Sequence, residues 1–100
     1  MARVRSYMLQ WDPSPDADVA GYRVYWATPP ELVTYDSPHV DVGTSTSVSV
    51  PTGGMPTSFD GYMTFGVSAL DDVGNESDIS TATLPFDLLA PSAPTNIRLG

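Results

Sequence analysis

The chain has 100 residues, of which 41% are hydrophobic and 16% charged, and these proportions predict one globular domain rather than a disordered polyelectrolyte. Twelve acidic residues against four arginines, with no lysine, give a net charge of −8, which argues against nucleic acid and anionic membrane surfaces as partners because both would be repelled. The lack of cysteine excludes disulfides, thiolate metal sites and cysteine nucleophiles.

The sequence also lacks the apolar segments that membrane insertion or export requires. No apolar run approaches the roughly 18 residues of a membrane span, so we expect no membrane insertion. The basic start of the chain is not followed by the roughly 7–15 consecutive apolar residues of a signal peptide. We therefore expect either the mature part of a longer protein or a complete chain made without a secretion signal.

Two strands are predicted near the start of the chain, since large apolar side chains occupy every second position there. They cover residues 7–11 and 22–26, and the residues expected to face inward are Tyr7, Leu9, Trp11, Tyr22, Val24 and Trp26. Pro13 and Pro15 stop the first strand and Pro29 and Pro30 stop the second, because proline provides no N–H group for strand pairing.

Shorter strands are predicted in the remainder of the chain, again from alternation. Their spans are 32–35, 40–42, 44–50, 62–70 and 79–84, with a long loop rich in glycine and proline over residues 51–60. No window of comparable length repeats apolar residues at helical spacing. Short strands separated by frequent turn signals indicate an all-β fold, a two-sheet antiparallel sandwich of the immunoglobulin-like kind.

Three segments of the chain form a pattern together. The first is Leu9-Gln10-Trp11 followed by Pro13, the second is residues 16–25, and the third is residues 65–71 running into Gly74-Asn75-Glu76-Ser77. In order and spacing they resemble strands B, C, F and the start of G of fibronectin type III domains, in the form found in bacterial and phage proteins. The resemblance implies a core that bridges two sheets and contains Trp11, Tyr22, Val24, Phe65 and Val67.

The chain departs from this family where strand F begins. The family usually has a tyrosine two residues before the first apolar residue of that strand, but Met63 occupies the position here and Tyr62 lies on the opposite face. We expect Met55 or Phe59 of the long loop to pack against this corner instead. The alternative is a bulge that restores Tyr62 to the position.

A second departure is that no segment like strand A precedes the first predicted strand, whereas residues 90–99 look like one. The resemblance therefore divides the chain into a sandwich of residues 1–88, with strands B to G, and a tail of residues 89–100 that is similar to strand A. The tail could complete its own sheet, complete the sheet of a neighbouring copy by strand addition, or begin a neighbouring domain. Without strand A, one strand edge and a slot in the core would be exposed.

Groups suited to catalysis are scarce, and we expect a protein that is not an enzyme and holds no cofactor. His39 is the only histidine. Its acidic neighbours Asp36 and Asp41 are close in sequence, whereas a catalytic triad draws its members from distant parts of a fold. One histidine without any cysteine cannot form a closed zinc site.

Calcium is the one metal for which the sequence offers candidate ligands, and these are weak. They lie in two loops that the resemblance places at one end of the sandwich: Asp12, Asp16, Asp18, Asp71, Asp72, Glu76 and Asp78. Calcium takes about six to eight oxygen ligands, but the spacing matches no calcium-binding loop. The favoured alternative is a pair of solvated turns in which aspartates bond their own backbone.

Candidate residues for protein contacts lie on the predicted outer face and in the tail. They are Arg23, Tyr25, Tyr62 and Thr64 on the outer face, and Ile97 and Leu99 in the tail. Tyrosine and arginine are enriched at interfaces, although an exposed tyrosine also simply suits a strand.

These features predict a non-enzymatic structural and interaction module that acts in protein–protein assembly, adhesion or spacing, with strand exchange as one route. Its protein partners would include neighbouring copies of itself or adjacent domains, in an extracellular, cell-surface or virion setting. The alternative is an accessory carbohydrate-binding module of a secreted hydrolase. Because sugar binding generally uses exposed aromatic rings, the predicted inward positions of Trp11 and Trp26 weaken that alternative.

Overall fold

The computed structural model describes residues 3–100, and within them the chain forms six β-strands and no helix. The strands are β1 (Tyr7–Gln10), β2 (Val19–Ala27), β3 (His39–Gly43), β4 (Ser47–Val50), β5 (Asp60–Asp71) and β6 (Ser80–Asp87). They form two antiparallel sheets, a pair β1-β4 and a larger sheet in the order β3-β2-β5-β6. The protein is an all-β, two-sheet antiparallel sandwich, as predicted. Among the described residues, no helix has the length and apolar character that crossing a membrane requires.

The core lies between the two sheets and follows from the alternation of side chains along each strand. Its buried members are Val24, Trp26, Val50, Met55, Met63, Phe65, Phe86 and Leu88. In the larger sheet, Trp26 of β2 lies opposite Phe65 of β5. The rings of Phe65 and Phe86 meet edge to face with their centroids 5.4 Å apart, a favoured geometry for an aromatic pair.

The two sheets differ in how well their inward residues are covered. On β2, Tyr22, Val24 and Trp26 are buried, which confirms the predicted inward face. On and just after β1, the predicted inward residues pack against the core but remain partly exposed; they are Tyr7, Leu9 and Trp11. The smaller sheet therefore leaves part of the core open to solvent.

The long loop between β4 and β5 closes one corner of the core. Met55 is buried there, and the ring of Phe59 lies 6.0 Å from that of Phe86. The carbonyl oxygen of Phe59 accepts a hydrogen bond from the Leu88 N–H at 2.6 Å. Met55 and Phe59 thus both pack at this corner as expected, while Tyr62 stays 60% exposed.

The strand predicted over residues 32–35 is not formed. The Ser37 N–H donates to the Thr34 carbonyl oxygen at 3.0 Å, and the Thr34 N–H donates to Ser37 Oγ at 2.8 Å, which closes a turn. Serine and threonine side chains that bond nearby backbone compete with strand pairing. The strand predicted over residues 44–50 begins only at Ser47, after a turn in which Gly43 has a φ of 66°.

Beyond Leu88, which is buried, the chain continues as a tail without regular secondary structure, in which Asn96 has a φ of 57°. Residues 91–100 are all exposed and form no strand, and the molecule measures 68 Å in its longest dimension but 26 × 19 Å across. The tail pairs with no strand among the described residues of this structure. Pro91 and Pro94 favour an unpaired tail because proline provides no N–H group for strand pairing. All three sequence alternatives for the tail stay predictions.

Candidate functional site

The strand β1 has a partner on one side only. It pairs with β4, and within residues 3–100 no strand lies on its other side. The Trp11 N–H donates to the Thr46 carbonyl oxygen at 3.0 Å. Because hydrogen-bonded positions alternate along an antiparallel pair, the backbone N–H and C=O groups of Met8 and Gln10 face the unpaired side. We call this row the free edge of β1, and such a row can template pairing with another strand.

An apolar cavity of about 80 Å³ opens between the sheets beside the free edge. It is lined by Tyr7, Met8, Leu9, Val50, Phe65, Leu84, Pro85 and Phe86. Leu84 of β6 lies opposite Met63 of β5, so both side chains point to the core face. Leu84 is nevertheless 39% exposed, while Met63 is fully buried. The two-stranded sheet is too narrow to cover β6, and the sandwich is open between β1 and β6.

A second cavity, of about 390 Å³, lies at the other end of β1. Trp11, Tyr22 and Val67 are among the residues that line it, and the rings of Trp11 and Tyr22 meet edge to face with centroids 5.8 Å apart. Trp11 Nε1 is buried without a hydrogen-bond partner among the described residues, which is uncommon for a buried polar atom. The two cavities share no lining residue, and we refer to the pair, at the Tyr7 and Trp11 ends of β1, as the open slot.

On the outer face of the larger sheet, Arg23 is held by two carboxylates. Its Nε lies 2.6 Å from Asp41 Oδ1 and its Nη2 lies 3.4 Å from Asp41 Oδ2, while its Nη1 lies 3.4 Å from Glu76 Oε1. Glu76 also accepts hydrogen bonds from the Tyr25 hydroxyl and from Ser68 Oγ, the latter at 2.5 Å. These five residues form what we call the Glu76 network, which ties the turn after β5 to β2 and β3.

The protonation states within the Glu76 network depend on one another. Burial opposes ionisation of Glu76, but hydrogen bonds from Ser68 and Tyr25 and the charge of Arg23 outweigh it, so the pKa of Glu76 lies below its ordinary value. The hydrogen bond from Arg23 also lowers the pKa of Asp41. Burial, followed by the hydrogen bond to Glu76, raises the pKa of Tyr25, which keeps that hydroxyl a neutral donor.

We expect the protein to lose stability as the pH falls through the lowered pKa values of Glu76 and Asp41. Each carboxyl group has a lower pKa folded than unfolded, so its contribution is fully present above the unfolded pKa and disappears at lower pH. Urea unfolding midpoints measured from about pH 7 down to about pH 2 would show the decline. The Glu76→Gln variant cannot titrate at this position and should decline less steeply. Identical pH profiles for both proteins would rule out a contribution from Glu76.

The expectation that Tyr25 is an exposed contact residue is wrong. The side chain lies on the outer face, as the alternation predicts, but it is only 1% exposed. The ring of Tyr35 packs against it edge to face at 6.4 Å, and the ring of His39 lies 5.2 Å away. Residues from the turn before β3 and from β3 itself therefore cover Tyr25. His39 belongs to this packing, and its Nδ1 lies 3.3 Å from the Ser37 carbonyl oxygen.

Tyr62 and Thr64 lie farther along β5 and do not join Arg23 and Tyr25 in one exposed patch. Tyr62 is 60% exposed, whereas Thr64 is partly buried and its Oγ1 lies 2.9 Å from Thr83 Oγ1. The remaining two contact candidates lie in the tail and are the most exposed large apolar residues within residues 3–100: Ile97 at 96% and Leu99 at 103%. A role of these residues in protein contacts stays a prediction.

The weak calcium candidates do not converge on a site. Among residues 3–100, no group of three or more Asp, Glu, His or Cys side chains is placed to hold a metal ion. Asp71 instead accepts hydrogen bonds within its own turn, and the bond from the Asn75 side chain, followed by backbone N–H groups, lowers its pKa. Glu76 accepts hydrogen bonds within the Glu76 network. The other candidates are Asp12, Asp16, Asp18, Asp72 and Asp78, all of them exposed.

The local sequence does not predict the part of Ser68 in the Glu76 network or that of Leu84 at the open slot. Ser68 occupies an ordinary outward position in the alternation of β5, and Leu84 an ordinary inward position on β6. Asp41 does carry a signal, since it alternates with Val40 and Val42 and must therefore face outward near a neighbouring strand. Only the tertiary structure shows that this neighbour is Arg23.

Comparison with known proteins assigns the chain to no family, since no family model, curated protein or solved structure matches it. The free edge of β1, the open slot and the exposed tail are therefore the features from which a function is inferred.

Proposed function

We propose that the chain is a non-enzymatic interaction module, similar to a fibronectin type III domain, that acts in protein–protein assembly through the free edge of β1. The observation that carries the proposal is the coincidence of that edge with the apolar cavity of the open slot beside Tyr7. A strand laid along β1 would gain hydrogen bonds from Met8 and Gln10 and would bury apolar surface in the slot. Strand addition of this kind is a recurring mode of protein recognition.

The arrangement of the strands supports the resemblance that the sequence carries. If β1, β2, β5 and β6 take the places of strands B, C, F and G, the family-like segments fall on β1, β2 and β5 and on the turn before β6. The free edge of β1 is then where strand A would lie.

The setting we propose is extracellular, on a cell surface or on a virion, where the module serves assembly, adhesion or spacing. A sandwich without cysteine does not depend on the redox state of its surroundings. The net charge of −8 keeps the chain soluble and disfavours nucleic acid and anionic lipid as partners.

The burial of the two tryptophans disfavours the carbohydrate-binding alternative. Trp26 is 6% exposed in the core, and Trp11 packs against the core with its Nε1 buried. The Trp26 ring is inaccessible to a sugar, and the Trp11 ring is only partly exposed. We therefore expect blue-shifted tryptophan emission that cellulose and chitin oligosaccharides leave unchanged. A saturable change of emission with either oligosaccharide would favour the alternative.

The proposed function predicts that the chain self-associates and that blocking the free edge of β1 abolishes the association. Proline at position 8 removes an edge N–H without breaking the β1-β4 ladder, because the Met8 N–H faces away from β4. Sedimentation equilibrium up to about 1 mM should show association of the wild-type chain and a monomer for Met8→Pro. The matched control Met8→Val keeps the N–H and should associate like the wild type. A monomeric wild type, or a Met8→Pro variant that associates equally well, would contradict the proposed function.

A further inference from the structure

We propose that residues 95–99 of one copy pair antiparallel with β1 of a second copy and close its open slot. The inference rests on the proposed function and names the partner of the free edge as the tail of another copy of this chain. Each copy would keep one donor tail and one acceptor edge, so the contact is heterologous and joins copies head to tail.

The tail has the pattern of a half-buried strand without the burial. Thr95, Ile97 and Leu99 alternate with Asn96 and Arg98, as strand residues do when one face is covered. Ile97 and Leu99 are nevertheless 96% and 103% exposed. Two large aliphatic side chains at alternate positions, both uncovered, suit a strand that is buried only when it is paired.

The free edge of β1 and the cavity beside it provide the backbone partners and the apolar cover that such a strand lacks. The N–H and C=O groups of Met8 and Gln10 point outward along the free edge. Beside them lies the apolar cavity of about 80 Å³, next to which Leu84 is 39% exposed despite its position on the core face. A donor strand would therefore find backbone partners and an apolar slot together.

One register matches the two surfaces. If Ile97 lies opposite Leu9 in an antiparallel pair, then Leu99 lies opposite Tyr7 and Thr95 lies opposite Trp11. The leucine then faces the apolar cavity at the Tyr7 end. The small, partly polar threonine faces the larger cavity at the Trp11 end, whose lining includes serine and aspartate residues. The outward pairs in this register are Met8 with Arg98 and Gln10 with Asn96. Every strand pairing inside the sandwich is antiparallel as well.

The geometry favours a second copy over the same chain. The Asp87 N–H donates to the Tyr7 hydroxyl at 3.1 Å, so the tail leaves the sandwich at the Tyr7 end of β1. In the proposed register, residue 95 sits at the opposite end, beside Trp11. A chain pairing with itself would have to send residues 89–94 across the opening that residues 95–99 must fill, and then reverse direction. A tail that arrives from another copy needs no reversal.

Complementary variants test the donor and the acceptor separately. The Ile97→Asp/Leu99→Asp variant removes the donor face at exposed positions and keeps the free edge, while Met8→Pro removes the acceptor and keeps the tail. We expect each variant to be monomeric alone. Their equimolar mixture should form a dimer of twice the 10.7 kDa chain mass. Thermal melts of both variants would establish that they remain folded.

Cysteine pairs test the register, because the natural chain contains no cysteine. Gln10→Cys and Asn96→Cys proteins, mixed and oxidised, should form a disulfide-linked heterodimer, since directly opposite strand residues lie within bridging distance. Gln10→Cys with Arg98→Cys, which a parallel pairing would bring together, should give far less. An excess of the 10–98 product would overturn the antiparallel register.

The outcomes separate this inference from the proposed function. If the Ile97→Asp/Leu99→Asp variant associates like the wild type while Met8→Pro does not, the free edge remains the docking surface and the tail is not its donor. If a Gln10→Cys/Asn96→Cys double variant closes its disulfide within a monomer, the tail completes its own sheet and the second copy is excluded. If Met8→Pro associates normally, both the inference and the proposed function are wrong.

Discussion

Replacing Glu76 by alanine is expected to lower the free energy of unfolding by about 3 kcal/mol. The substitution leaves the hydroxyl groups of Tyr25 and Ser68, two residues that are each 1% exposed, without their acceptor. It also removes one of the two carboxylates that hold Arg23. A buried donor left without a partner costs about 1–3 kcal/mol, so two of them account for the size of the effect. Urea unfolding of the two proteins at neutral pH measures the difference.

Two further variants show whether the network or the charge is responsible. Asp72→Ala removes an exposed carboxylate in the same turn and should change stability by no more than about 0.5 kcal/mol. Glu76→Gln keeps a side-chain oxygen for the two hydroxyl groups and should lose less than Glu76→Ala. If Glu76→Ala and Asp72→Ala unfold at the same urea concentration, the Glu76 network does not stabilise the turn.

Alanine at position 66 is expected to destabilise the protein by about 2 kcal/mol through overpacking. Gly66 lies opposite Tyr25 on the outer face, and a Cβ atom there would lie 2.6 Å from Ile79 Cγ2 and 2.9 Å from Val33 Cγ1. Both neighbours are β-branched and have few alternative rotamers, so they cannot simply turn aside. The thermal unfolding midpoint of Gly66→Ala should fall accordingly.

Gly54→Ala is the matched control for this substitution. A Cβ atom at position 54 would lie 3.7 Å from the nearest side-chain atom, in the ring of Trp26, which is ordinary contact. The control should be neutral or stabilising by about 0.4–1 kcal/mol, because alanine restricts the unfolded chain more than glycine does. Equal midpoints for Gly66→Ala and the wild type would mean that Val33 and Ile79 do not cover the sheet at this point.

The strands could be predicted from the sequence because a half-buried strand has an apolar residue at every second position. Tyr22, Val24 and Trp26 are buried as the alternation indicates. The same reasoning failed for Tyr25, since alternation shows which face a residue occupies but not whether a loop crosses that face. The carboxylate that bonds Tyr25 is 51 residues away in sequence, and no local pattern connects them.

Two other expectations failed for related reasons. Residues 32–35 have strand-like composition, but the hydrogen bonds between Thr34 and Ser37 give the backbone a turn in its place. The acidic residues of the two loops could form a shared cation site only if their carboxylates were not already hydrogen-bonded within the protein. Asp71 accepts hydrogen bonds within its own turn, and Glu76 accepts them from two hydroxyl groups. The number and spacing of the acidic residues predict neither set of hydrogen bonds.

The open slot was only partly predictable. The resemblance places strand A beside the first predicted strand, and among residues 3–100 the edge of β1 is unpaired there. The extent of the opening depends on how far a two-stranded sheet covers a four-stranded one, which is a tertiary property. The exposure of Leu84 on the core face is its clearest sign, and the sequence around that residue predicts only a strand over residues 79–84.

Amide hydrogen exchange at Met8 and Gln10, followed by NMR as the protein concentration is raised, tests most directly whether the free edge of β1 is the docking surface. In a monomer these two N–H groups have no strand partner and should exchange rapidly. We expect both to become protected as the copies associate, while the Val24 N–H on the central strand β2 stays protected throughout. Association that leaves Met8 and Gln10 exchanging as fast as in the monomer would contradict docking by strand addition.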